Sequence, residues 1–269
     1  MDRLIFLGTA GARVMVSKQL TASGGVWIEL AGSTILLDPG PGSLVQATKR
    51  GLRPDTLDAI VLSHRHLDHS GDANVMVEAM TGGGLRRGGL LLAPEDALEG
   101  DDPVVLRYLR PFLARIETLT EGGTYHVGAL TLRTPVRHQH PGQTFGVIVE
   151  TEALLRLAFL VDTRPFAALE QHYRADVLVL NVVRLEPGSG YDHLSIPEAQ
   201  ELIGALRPRL ALLTHFGMTV WRAHPWELAA RMSDATGIRV LAARDGMTID
   251  LQTLEVQKAP RRAGREVGA

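Results

Sequence analysis

Apolar positions in this chain come in short blocks closed by glycine, proline or aspartate, and the blocks alternate with longer segments of helical spacing. Leu4-Ile5-Phe6-Leu7 reads as a first strand that breaks at Gly8-Thr9-Ala10-Gly11, a strand exit rather than a phosphate-cradling turn. Residues 12–25 are polar and glycine-bearing, which predicts a loop. Trp27-Ile28-Glu29-Leu30 and Thr34-Ile35-Leu36-Leu37 form a hairpin pattern around Ala31-Gly32-Ser33. Asp38-Pro39-Gly40-Pro41-Gly42 stops it, and a helix is expected from Ser43. Ala59-Ile60-Val61-Leu62 is continuously apolar, as in a strand covered on both faces. Gly71 then opens a helical pattern through Ala73, Val75, Met76, Val77, Ala79 and Met80.

A glycine-rich surface loop is expected over residues 81–89, then a short strand at Leu90-Leu91-Leu92 and a helix from Pro94 to about Phe112. Strand patterns recur around Ile116, Leu130–Leu132, Gly146–Val149, Arg156–Val161, Val177–Leu180 and Ala211–Leu213. Pro165–Tyr173, Pro197–Leu206 and Pro225–Met232 read as helices with proline in or near the first turn. Val240-Leu241 and Met247–Leu251 read as closing strands about an Asp245-Gly246 turn. Strands followed by helices thus occur twice, around residues 1–80 and 129–236, without a sequence repeat. Two β-sheets packed face to face, with helices outside, would bury all of these blocks. The expected class is α/β: one αββα sandwich over residues 1–256, its site along one edge, then a polar tail, 257–269, expected to be disordered.

With 269 residues, 45% hydrophobic and 22% charged, the chain has the make-up of a water-soluble domain able to bury a sizeable core. A formal charge of −2 gives no overall footprint for nucleic acid or membrane. The absence of cysteine excludes disulfides, thiolate zinc sites and a cysteine nucleophile, so any metal must be held by His, Asp or Glu. Met1-Asp2-Arg3-Leu4 does not begin a signal peptide and no apolar run reaches membrane length, so a cytoplasmic enzyme without a membrane partner is expected.

The chemistry concentrates in Ser63-His64-Arg65-His66-Leu67-Asp68-His69-Ser70, directly after a buried strand and before a helix. Sites of α/β sheets lie at such strand ends. In an extended segment His64 and His66 project to one side, and a turn brings Asp68 and His69 round. Imidazole and carboxylate suit zinc, iron or manganese. Asp38 is either a turn carboxylate or a group supporting the metal ligands. Asp162, directly after the apolar run Leu157–Val161, either serves a metal or caps the following helix.

The stretch resembles the His-x-His-x-Asp-His signature of the metallo-β-lactamase superfamily. The resemblance implies the αββα sandwich, a supporting role for Asp38, and completion of the site by a later His, a later Asp and a last His. Of His138 and His140, it favours His140, which precedes Thr144-Phe145-Gly146 as a ligand His does in the superfamily's phosphodiesterases. It implies His64, His66 and His140 for one ion, Asp68, His69 and His215 for a second, and Asp162 shared. Two divalent ions follow, zinc as the simplest choice, with manganese or iron fitting the same ligands. His193-Leu194-Ser195 resembles a segment of the ribonuclease Z-like branch that supplies a catalytic histidine, while Ser195 and Glu198 suit a capping box. The activity so implied is phosphodiester hydrolysis by a hydroxide between the ions, oriented by Asp68, with His193 as general acid. An ester, thioester or lactone hydrolase would use the same ions, and a di-iron redox protein is the reading from another class. Residues 141–161 are too few for a tRNA-binding arm, so a small phosphodiester is favoured over nucleic acid, with a homo-oligomer left open. His126, His138, His172 and His224 are expected at the surface.

Overall fold

The computed structural model describes residues 2–153, 155–188, 190 and 192–257, and no helix among them is long and apolar enough to cross a membrane. The chain first lays down β1 (Arg3–Phe6), β2 (Val26–Leu30), β3 (Ser33–Leu37), β4 (Ala59–Val61), β5 (Gly88–Pro94) and β6 (Leu113–Leu119). It then builds a second sheet from β7 (Gly123–Val127), β8 (Leu130–Thr134), β9 (Val147–Glu150), β10 (Arg156–Leu160), β11 (Val177–Arg184), β12 (Leu194–Ser195), β13 (Leu210–Thr214) and β14 (Val240–Ala242). β15 (Thr248–Asp250) and β16 (Val256–Gln257) return to the first sheet. Its order is β16-β15-β1-β2-β3-β4-β5-β6; the second runs β14-β13-β11-β10-β9-β8-β7, with β12 beside β11.

The period of two along each strand sorts side chains into layers. Leu4 and Phe6 of β1, Val26, Ile28 and Leu30 of β2, and Leu90 and Leu92 of β5 face a core shared with Val147, Val149, Leu157, Phe159, Val177 and Val179 of the second sheet. The alternate residues face outward: Ile5, Trp27, Leu36 and Leu91 meet Met76, Val77 and Met80 of the helix Ala73–Thr81, while Ile148, Leu160, Leu178 and Leu213 meet Leu202, Ile203, Leu228 and Met232. Three apolar layers explain why the strands read as unbroken apolar runs. The result is the expected α/β arrangement of two mixed sheets with helices on both outer faces.

The helices are α1 (Ala12–Lys18), α2 (Ser43–Lys49), α3 (Leu67–Ser70), α4 (Ala73–Thr81), α5 (Glu95–Leu98), α6 (Ala168–His172), α7 (Ile196–Leu206), α8 (Met218–Arg222) and α9 (Pro225–Thr236). Several differ from expectation. Residues 12–25, expected as a loop, contain α1, which one buried side chain, Met15, anchors; a single apolar anchor leaves no periodic signal. Pro94–Phe112 is not one helix: α5 ends at Leu98, Gly100 takes φ +100, and only a 3₁₀ turn, Arg107–Phe112, follows. Helical structure after β4 begins inside the histidine motif, at Leu67. The Pro165–Tyr173 pattern yields only the short α6. β7 and α8 were not foreseen. β14 and β15 do not pair across Asp245-Gly246; the chain crosses there between sheets, with Ala243 N donating to Leu213 O and Gly246 N to Phe6 O. Gln257 pairs with Thr248 in β16, and residues 258–269 of the expected tail lie outside the described residues.

Strands β3 to β6 run parallel, as do β10, β11, β13 and β14. The loops after β3, β4, β10, β11 and β13 gather at one edge of the sandwich, as their hydrogen bonds and close contacts below show. Because Phe159 fills the core between the sheets, Phe159→Ala is expected to cost about 3–5 kcal/mol of unfolding free energy. Urea denaturation measures this, with Leu85→Ala, at a 92% exposed position, expected to be neutral.

Candidate metal centre

His64, His69 and His140 are each oriented by a hydrogen bond at Nδ1. Asp38, at the end of β3, accepts from the Ser63 backbone N–H (2.7 Å), the Ser63 hydroxyl (2.6 Å) and His69 Nδ1 (2.8 Å). With its proton given to Asp38, Ser63 Oγ accepts from His64 Nδ1 at 3.0 Å, leaving the His64 Nε2 lone pair free. His140 Nδ1 donates to the Asp192 carbonyl at 2.8 Å, which frees its Nε2 likewise. Asp38 is therefore a support of the motif, as the resemblance implied.

Two groups of side chains converge. His64 Nε2 and His140 Nε2 each lie 3.1 Å from His66 Nδ1. Ligand nitrogens on a tetrahedral zinc stand about 3.3 Å apart, given zinc–nitrogen bonds of about 2.0–2.1 Å. In the second group His215 Nε2 is 3.3 Å from Asp68 Oδ2, His69 Nε2 is 3.3 Å from Asp162 Oδ2, and His215 Nδ1 is 3.3 Å from Asp162 Oδ1. Asp162 Oδ2 is also 3.9 Å from both His64 Nε2 and His140 Nε2, so this carboxylate faces both groups. His69 Nε2 and both ring nitrogens of His215 are buried without a hydrogen-bond partner, the state expected of metal-ligating atoms. Each group could hold an ion.

His193 stands beside them. Its ring is 4.9 Å from that of His140, and its Nδ1 lies 3.6 Å from Asp162 Oδ2. Ser195 and Glu198 form the expected capping box, which fixes the chain just after His193. Among the remaining histidines, His126, His172 and His224 are exposed as expected. His138 is not at the surface: it is 3% exposed, and its Nε2 bonds the Tyr173 hydroxyl at 2.9 Å. Asn181 was missed; its side-chain amide donates to Asp162 Oδ1 at 2.9 Å. The signal for it was an amide interrupting the apolar run of β11.

Backbone shape contributes too. His215 takes φ +57 and Asp38 φ +52, left-handed conformations that cost energy outside glycine and cluster at functional sites. Gly11 makes room for the first: a Cβ there would lie 2.2 Å from His215 O and 2.4 Å from its Nδ1.

Burial would raise the Asp68 and Asp162 carboxyls, but the neighbouring imidazoles, His69 and His215, outweigh it and hold both well below the usual carboxylate range. Burial lowers His64 and His66, keeping them neutral, and pushes His193 down to about 4. His69 behaves oppositely. Burial would lower it, yet Asp162, Asp68 and Asp38 together hold it well above the usual imidazole value.

A sandwich whose edge gathers histidines and aspartates able to hold metal defines a metal-dependent hydrolase. Comparison with known proteins identifies the family: residues 33–216 match the model of the beta-lactamase superfamily domain, and the chain belongs to that superfamily. An uncharacterized protein of Methanocaldococcus jannaschii is 28% identical over 92% of this chain and 94% of its own length. A metal-dependent hydrolase of Myxococcus xanthus is 24% identical over 69% of this chain and 64% of that protein. A ribonuclease Z of Methanopyrus kandleri is 32% identical over 40% of each chain. Among solved structures, the metallo-beta-lactamase fold protein YhfI of Bacillus subtilis superposes with a TM-score of 0.76 at 17% identity, covering 92% of this chain and 98% of that one. A diphosphatase from the PhnP family superposes at 0.67 and 19% identity, covering 93% and 98%.

A ligating imidazole must be neutral, and His69 carries a proton at pH 7 when no ion is held. Metal uptake should therefore release a proton, and affinity should fall as pH is lowered. Zinc calorimetry in buffers of different ionisation enthalpy checks this; uptake without proton release at pH 7 would contradict the charge state assigned to His69.

Proposed function

We propose that this hydrolase holds two divalent ions and cleaves phosphodiesters. His64, His66 and His140 hold one ion, Asp68, His69 and His215 the other, and Asp162 lies between. Three imidazoles at tetrahedral spacing favour zinc in the first position, and manganese or iron suits the same donors. Bound there, the ions would supply a water activated at neutral pH and positive charge against that developing on the substrate.

The chain's own residues supply orientation and a proton. Asp68, which faces His69 and His215, stays ionised and can accept a hydrogen bond from the attacking water. His193 is the observation that carries the choice of substrate. It stands beside His140 and Asp162, outside the two ligand groups, and among the described residues its Nδ1 has no hydrogen-bond partner. Burial keeps it neutral at rest, so an anionic substrate meets an imidazole rather than an ion pair. Negative charge building on the phosphoryl group then raises its proton affinity, so that it can take up the proton lost by the attacking water and pass it to the leaving oxygen. The names of the ribonuclease Z relative and of the diphosphatase neighbour support chemistry at phosphorus. Residues 141–161 are taken up by the His140 loop, β9 and β10, which leaves no arm for a folded RNA and favours a small diester.

Elemental analysis should find two ions per wild-type chain, and Asp162→Ala should release both rather than one, because the carboxylate faces both groups. Loss of a single ion would show that Asp162 serves only one position.

His193→Ala should retain metal yet lower turnover of an alkyl phosphodiester by roughly 10²–10⁴-fold, the usual contribution of a general acid. On bis(nitrophenyl) phosphate the loss should be much smaller, because nitrophenolate leaves without a proton. Equal losses on both substrates would make His193 a phosphate-binding group. Hydrolysis of carboxylic esters but no diester would move the protein to the ester-hydrolase reading.

A further inference from the structure

His138 belongs to neither group, yet it is buried two residues before His140. Its backbone N–H donates to Thr144 O, and among the described residues its ring bonds Tyr173, at the end of α6, which is itself wholly buried. The Tyr173 hydroxyl and His138 Nε2 stand 2.9 Å apart, and with the ring proton on Nδ1 the hydroxyl donates to Nε2. The surroundings are apolar: Tyr173 packs with Leu169, and Phe166 presents its ring to His138. Buried at both ends, such a bond is little relaxed by solvent, so it fixes both rings.

The pair needs a glycine opposite it. A Cβ at Gly146 would lie 2.4 Å from the Tyr173 hydroxyl oxygen and 2.5 Å from His138 Nε2. The His138 ring also lies against the backbone of Val161 and Asp162. Near the surface the same two segments are joined by Gln139 N donating to Thr163 Oγ1 (3.1 Å) and Arg164 N donating to Gln139 O (3.1 Å). The loop carrying His140 is thus stitched to the segment carrying Asp162 at two depths, and His138 with Tyr173 is the inner stitch.

We propose that His138 and Tyr173 are a positioning pair for the metal centre, setting the His140 imidazole in place against the Asp162 carboxylate; this rests on the ligand assignment made above. Groups that orient metal ligands typically lower metal affinity about 10–100-fold when removed. Here the pair acts one step further back, through the loop that carries the ligand.

The test separates positioning from plain core stability. Zinc affinity is read on the full-length chain by competition with a chelating indicator, and stability by thermal melts of the metal-free protein. Tyr173→Phe should lower zinc affinity by about 10-fold or more, with a changed visible spectrum of the cobalt-loaded protein. The double variant His138→Leu with Tyr173→Phe, which removes both polar atoms, should regain melting temperature but not zinc affinity. His138→Gln, which can still accept from the hydroxyl, should keep more affinity than His138→Leu; this comparison carries the test should Tyr173→Phe fail to fold. Unchanged affinity in Tyr173→Phe overturns the proposal, as does recovery of affinity together with stability in the double variant. Wild-type protein that binds neither zinc nor cobalt overturns the ligand assignment itself, and the pair's role with it.

Discussion

The carboxylate of Asp162 is 2% exposed, and ring nitrogens of His64, His69, His140, His193 and His215 stand within 3.9 Å of it. A buried anion is tolerated only where positive charge or hydrogen-bond donors compensate it. That requirement dictates much of the architecture. His64 and His69 come from the loop after β4 in the first sheet, His140 from the loop before β9, and His215 from the end of β13 in the second. They meet only because the sheets stack with the carboxyl ends of their parallel strands at the same edge. The shared core of Phe6, Val26, Leu92, Val149, Phe159 and Val179 is thus what holds the two halves of the site at ligand distance.

A layer of supports decides what each ring can do. Asp38 takes three hydrogen bonds at once, from the Ser63 backbone, the Ser63 hydroxyl and His69, and through Ser63 it also sets the tautomer of His64. Asn181 holds one oxygen of Asp162 and leaves the other facing both groups. The Asp192 carbonyl orients His140, and the next residue is His193, so the position of a ligand and that of the proposed proton donor are set by one loop. Left-handed backbone at Asp38 and His215 shows where the chain accepts strain to aim these side chains.

This sharing gives the site directionality. The side chains that converge are buried or nearly so, whereas Arg65, Leu67, Arg137 and Arg164, interleaved with them in sequence, are exposed. The converging side chains thus point inward while their sequence neighbours point to solvent.

Much of this was legible in the chain alone. Period-two blocks with continuous apolar runs predict two sheets covered on both faces, because strands in the middle layers must bury both sides. The motif from His64 to His69 announces metal chemistry by density of donors, a local property. His138 shows where such reading stops. Next to His140 it looks like an exposed spare, and its burial follows from Tyr173, whose aromatic ring arrives from a different helix. Asn181 is similar: one polar residue whose partner, Asp162, lies on a different strand end. Short elements failed for the same reason, since α1 rests on Met15 alone and the crossing after β14 depends on bonds to Leu213 and Phe6. Sequence determined the layers, the donors and the strand ends that carry them, because these follow from local periodicity and side-chain chemistry. Only the tertiary structure decided which donors converge, which nitrogen each presents and what holds them there, because those are set by distances between segments that meet only when the sheets stack.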